Sequence, residues 1–93
     1  MASDVHDNPA LDRFELDVDG HTAFAAYTAS PDTITFVSTK VPQELSGRGV
    51  GSTLARGALA AVRAQGKRVV ARCPFIAGYI HKHPEFQDLV AKE

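Results

Sequence analysis

The hydrophobic period of this 93-residue chain changes once, and three glycines mark the place. Up to Pro42, apolar residues recur every second position; from Val50 onward they recur at helical spacing. The segment between them ends in Gly47-Arg48-Gly49-Val50-Gly51-Ser52. A chain that passes from period two to a period near 3.6 through such a segment must change from sheet to helix there. This predicts an α/β (α+β) fold: an antiparallel meander, then a helix, a parallel strand and a C-terminal helix.

The strands can be placed from their patterns. Phe14, Leu16 and Val18 alternate with Arg13, Glu15 and Asp17, which predicts one buried face and one wet face. Asp19-Gly20 is a hairpin turn signal, and His21 to Thr28 reads as the returning strand. Ser30-Pro31-Asp32 marks a second turn. The β-branched run from Thr33 to Val41 follows as a third strand, closed by Pro42, which has no N–H to donate.

Val50, Leu54, Ala58, Ala61 and Val62 then define one apolar helix face, predicting a helix from Arg48 to Ala64 with Gly66 as its stop. Arg68 to Arg72 reads as a short buried strand. A strand, a helix and a strand in succession place this last strand parallel to the third. Pro74 suits a first helical turn, so a helix is expected from Phe75 to Lys82, stopped by Pro84, with a last turn between Glu85 and Ala91.

Length limits the chain to a single core, assigned to residues 11–93, with residues 1–10 read as a loose tail. A net charge of -1 argues against a general nucleic-acid binder. Arg56, Arg63, Lys67, Arg68 and Arg72 are accordingly read as a solvated face. No apolar run suits a signal peptide or a membrane span, and the lone Cys73 forms no intramolecular disulfide. A soluble cytoplasmic protein is the expectation.

The glycine segment can cradle an anion. Glycine lets backbone approach a ligand without a Cβ in the way, and the first N–H groups of a helix lack intrahelical partners. Arg48 adds a fixed positive charge. The segment therefore reads as a seat for the pyrophosphate of a nucleotide-like cofactor. The spacing is not Gly-x-Gly-x-x-Gly, and no Gly-Lys-Ser/Thr triplet closes it, so neither the Rossmann fingerprint nor a P-loop is present.

Two further stretches complete a resemblance. Val41-Pro42 stands before the glycines, and Cys73-Pro74-Phe75-Ile76-Ala77-Gly78-Tyr79-Ile80-His81-Lys82-His83-Pro84-Glu85-Phe86 follows the last strand. Over residues 12–91 the chain resembles the GNAT N-acetyltransferase superfamily, and more narrowly its small single-domain group with Cys-Pro-Phe and His-Pro-Glu-Phe/Tyr. The resemblance implies acetyl-CoA as cofactor, with the backbone of Gly47, Arg48, Gly49, Val50, Gly51 and Ser52 on the pyrophosphate. It implies that the pantetheine arm lies along Val37, Ser38, Thr39 and Val41 in the manner of an added strand. Acetyl transfer to a small-molecule or peptide amine follows, without nucleic acid or membrane as partner. The alternative is a coenzyme A or acyl-CoA binding module with little or no catalysis.

The chain departs from the family pattern in three ways. Ser46 stands where the usual loop begins with Gln or Arg. The position of the usual tyrosine acid falls on Ile80, with Tyr79 one residue earlier and so turned by about 100° on a helix. The chain is short, which implies an acceptor groove left open or completed by a partner protein.

Two roles fit Cys73, the candidate catalytic residue: a thiol that accepts or positions the acetyl group, and a small buried hydrophobe. His81 and His83 point to different faces of a helix and make a poor metal pair, with His83 read as capping the helix end. Glu44 reads as a solvated carboxylate, His21 as exposed, and Phe75, Tyr79 and Phe86 as core aromatics.

Overall fold

The computed structural model describes residues 5–91. One sheet runs through it in the order β1 (His6–Asn8), β2 (Arg13–Val18), β3 (His21–Ala29), β4 (Thr33–Lys40) and β5 (Arg68–Ala71). Neighbours are antiparallel except β4 and β5, which are parallel. The crossover is helix α1 (Val50–Ala64), and helix α2 (Pro74–Lys82) follows β5. Among the described residues no helix is long and apolar enough to cross a membrane.

Local chemistry explains the joints. Asp19 and Gly20 both have positive φ, 51° and 79°, which matches a hairpin turn to the twist of the strands it joins. Helix α1 starts at Val50 rather than Arg48, because Gly49 holds a left-handed φ of 73° and cannot be a helical residue. Pro74 occupies the first turn of α2, where its missing N–H costs nothing.

The core lies on one face of the sheet. Phe14, Leu16, Ala25, Tyr27, Ile34, Phe36 and Val69 point to that face, and Leu54, Ala58, Leu59 and Val62 of α1 with Ile76 and Ile80 of α2 cover it. Phe14, Tyr27 and Phe36 form a ring cluster with centroids 5.3–6.5 Å apart. Such pairs add directional contacts to the area they bury.

Two expectations need correction at this end of the molecule. Of the loose tail expected for residues 1–10, residues 1–4 lie outside the described residues, and residues 6–8 pair with β2 as an edge strand, in the register His6 with Glu15 and Asn8 with Arg13. Glu15 is not on a wet face either. It is 8% exposed, and its carboxylate accepts from Arg13 Nε at 2.6 Å and Asn8 Nδ2 at 3.2 Å, with His6 Nε2 also at 3.2 Å. Arg13, its first and largest partner, holds the carboxyl below its ordinary pKa against the opposing effect of burial. Tyr27 donates its buried hydroxyl to Asp7 at 2.6 Å, which ties β1 to β3 across β2. The Tyr27 phenol is pushed well above its ordinary range, by burial first and by the Asp7 carboxylate second.

The basic residues of α1 and β5 hold the C-terminal segment. Arg63 binds the Asp88 carboxylate at 2.9 and 3.0 Å and the Glu85 carbonyl at 2.6 Å, Arg56 meets Glu85 at 3.4 Å, and Arg68 donates to the Asp88 carbonyl at 2.7 Å. These contacts fasten the short 3-10 helix Pro84–Leu89, from which Phe86 and Leu89 enter the core. Beyond it, Ala91 N–H donates to Val69 O at 2.8 Å.

Candidate active site

The site is built where β4 and β5 part. Their pairing ends at Phe36 with Ala71; Arg72 and Cys73 both donate to the Phe36 carbonyl, each at 3.0 Å, and the chain then turns into α2. Beyond Phe36, β4 has no neighbour on that side among the described residues. Strand backbone without a partner is a template for an extended ligand.

A bulge sets which side chains face this gap. Tyr27 pairs with Phe36 but Ala26 pairs with Ser38, so Val37 is the extra residue on β4. The insertion reverses the alternation beyond it. Thr39, opposite buried Ala25, therefore faces the helices, where an unbulged strand would have put Ser38. Thr39 Oγ1 meets Cys73 Sγ at 3.2 Å. Val37 is 42% exposed, Ser38 is exposed, and Val41 packs on the core.

The glycine segment opens α1, and its Gly51 lies against Phe75, two residues beyond Cys73. Gly47 and Gly49 have φ of 78° and 73°, which L side chains rarely adopt, and nothing lies within 4 Å of where a Cβ would stand on either. The N–H groups of Val50, Gly51 and Ser52 open α1 and have no acceptor among the described residues. No side chain caps the helix. Ser46 does not take part; its hydroxyl donates back to Gln43 O at 2.8 Å. Arg48 stands beside the loop, but its guanidinium is paired with Asp19 of the β2–β3 turn at 2.8 Å.

Gly51 has a different reason to be glycine. Its φ is unremarkable for a helix, yet a Cβ there would lie 2.8 Å from Cζ of Phe75. Close approach by a ring of α2 explains this glycine. Phe75 is therefore not the core aromatic expected from the sequence: it is 44% exposed and leans on the first turn of α1. Tyr79 and Phe86 are buried as expected, at 7% and 5%.

Cys73 is the residue before α2 and is 3% exposed, a free thiol beneath the gap. Thr39 is its hydrogen-bond partner; no carboxylate or imidazole is hydrogen-bonded to it among the described residues. Arg72 turns away, toward a groove of about 670 Å3 bounded by Val70, Ala71, Ile80, His81 and Val90. That groove shares no residue with the glycine loop or the Thr39–Cys73 pair.

The other candidates fall outside the site. His83 Nδ1 lies 2.8 Å from Tyr79 O and its ring stacks on Tyr79 at 3.9 Å, so it completes the end of α2. His81 and Glu44 are exposed, and His21 is half-buried rather than exposed. Gly78 stands inside α2 with open space where its Cβ would be. A glycine in a helix interior costs about 1 kcal/mol relative to alanine, and no packing among the described residues explains it.

The chain belongs to the GCN5-related N-acetyltransferase family, whose model matches residues 13–89. It is an acyltransferase, and acetyl transfer is the chemistry of that family. A GCN5-like protein of Staphylococcus aureus, solved by NMR, has the same fold: TM-score 0.71 at 23% identity, covering 100% of this chain and 93% of that one. No curated protein matches the sequence.

Proposed function

We propose that this chain binds acetyl-CoA and transfers its acetyl group to an amine. The observation that carries the reading is the set of unpartnered N–H groups from Val50 to Ser52, opened by left-handed Gly47 and Gly49, beside the unpaired edge of β4. The donor set suits an anion such as a pyrophosphate, since it offers several N–H groups at the positive end of a 15-residue helix. The free edge at Val37–Thr39 suits the amides of a pantetheine arm. When bound, acetyl-CoA supplies an activated acetyl thioester.

The chain's residues would orient that group. Thr39 and Cys73 form the floor, where their hydroxyl and thiol share one hydrogen bond at 3.2 Å. Direct attack suits this floor better than an acetyl-cysteine intermediate. In direct attack the amine would displace the coenzyme A thiolate from the acetyl carbon, and the proton the amine gives up would pass to that thiolate through solvent. A nucleophilic thiol needs access and a base; Cys73 is 3% exposed and is bonded to a hydroxyl alone. The lone free cysteine is compatible with a cytoplasmic site of action.

The test is a panel of amines (polyamine, lysine, peptide N-terminus, small metabolite) incubated with protein and acetyl-CoA. Coenzyme A release and acetylated product are followed by mass spectrometry over many turnovers. Product from Cys73→Ala at a rate near that of the parent supports direct transfer. Acetyl trapped on Cys73, with no product from Cys73→Ala, supports the covalent route. Tight coenzyme A binding with no product from any amine identifies a binding module.

A further inference from the structure

The placement of Phe75 has no structural explanation within the chain's own core. A phenyl ring left 44% exposed forgoes burial that the fold gives to every other phenylalanine of β2, β4 and the C-terminal segment. Its far edge lies over Gly51, where a Cβ would stand 2.8, 3.4 and 3.5 Å from Cζ, Cε1 and Cε2, so the ring takes the space a side chain there would need. The ring thus bridges the opening turns of both helices. It stands beside the N–H groups of Val50 to Ser52 at one end and is two residues from Cys73 at the other. Gly78, one turn further along α2, leaves open space on the same flank.

We propose that Phe75 is a ligand-gripping wall, and that Gly51 is glycine in order to seat it. This rests on the acetyl-CoA reading above. A ligand whose anion sits on the glycine loop and whose thioester reaches Thr39 and Cys73 must cross the strip between them. Phe75 forms the apolar side of that strip and Gly78 its clearance. The segment recognised there is the neutral, methyl-bearing arm of the cofactor, not its nucleotide. Gly47 and Gly49 serve the nucleotide end through backbone shape, and Gly51 serves the arm through Phe75.

The experiment compares two ligands by calorimetry on the whole chain: coenzyme A, and its nucleotide fragment 3′-phosphoadenosine 5′-diphosphate, which lacks the arm. Phe75→Ala weakens coenzyme A by about tenfold, the size expected when contact with one ring is lost, and leaves the fragment within about twofold. Phe75→Leu recovers part of the loss. Gly51→Ala, which displaces the ring, weakens coenzyme A in the parent and has little further effect in the Phe75→Ala background. Equal weakening of both ligands overturns the proposal, because Phe75 would then only shape the loop. Unchanged coenzyme A affinity in Phe75→Ala overturns it as well. Parent protein that binds neither ligand overturns the acetyl-CoA reading itself, and is recognised before any variant is compared.

Discussion

The two ends of the sheet are finished differently. At the β1–β2–β3 end the polar groups answer one another: Glu15 is bonded to Arg13 and Asn8 and meets His6, Tyr27 to Asp7, and Thr22 to Asp17 at 2.6 Å. At the β4–β5 end the N–H groups of Val50 to Ser52 and the edge of β4 beyond Phe36 have no partner among the described residues, and the Phe75 ring is 44% exposed. Buried polar groups are normally paired. On the function proposed above, the second end is the one that takes the ligand.

The largest break in that comparison comes from Gly49→Val. A left-handed residue other than glycine costs roughly 1–2 kcal/mol, and a β-branched one more. Loss of the φ of 73° at the helix entry also misaims the N–H groups of Val50 to Ser52. Calorimetry is expected to show coenzyme A binding lost altogether, with a lowered melting temperature from the strain. A Gly49→Val protein that binds as the parent does would move the anion seat elsewhere.

Arg48 sharpens the same contrast, because the closed end reaches over to it through Asp19. Charge-assisted hydrogen bonds are worth about 1.5–3 kcal/mol, but an exposed ion pair that must first be released offsets up to ~1 kcal/mol. Arg48→Ala should therefore weaken coenzyme A by roughly 1–2 kcal/mol, and Asp19→Asn should tighten it a few-fold. Identical affinity in the parent and Asp19→Asn would mean that Arg48 never leaves its partner.

The smallest effect belongs to the closed end. Glu15 has its pKa lowered from 4.5 in the folded chain. A depressed folded pKa contributes stability above the unfolded pKa, and that contribution is lost as pH falls through the folded value. Melting temperatures of the parent should fall on acidification below about pH 4.5 more steeply than those of Glu15→Gln. At neutral pH coenzyme A affinity should be equal in the two. A changed affinity would show that the Glu15 cluster is coupled to the glycine loop.

Much of this was legible in the sequence. Asp19-Gly20, Pro42, Gly66 and Pro74 punctuate the chain where turns and helices begin or end; alternation identifies β2, the hairpin turn β3 and the β-branched run β4. What was not legible depends on contacts distant in sequence. β1 is held by Glu15 and Tyr27, which no local pattern of His6 to Asn8 reveals. The bulge at Val37 changes which of Ser38 and Thr39 meets Cys73, and β-branched runs carry no mark of it. The three loop glycines look alike in sequence, yet two serve backbone conformation and one serves a ring 24 positions away. Charge patterning makes Arg56, Arg63, Lys67, Arg68 and Arg72 a solvated face, and the fastening of Glu85 and Asp88 by Arg56, Arg63 and Arg68 appears only once the chain has folded back.

The most direct test of the central claim is a coenzyme A titration of uniformly 15N-labelled protein followed by amide NMR. The account predicts that the amides of Gly47 to Ser52 move first and furthest, with Val37 to Thr39, Cys73 and Phe75 following at the same dissociation constant. The amides of His6 to Val18 should stay in place. Shifts centred on Val70, His81 and Val90, or no shift at Gly47 to Ser52 at saturating coenzyme A, would contradict it.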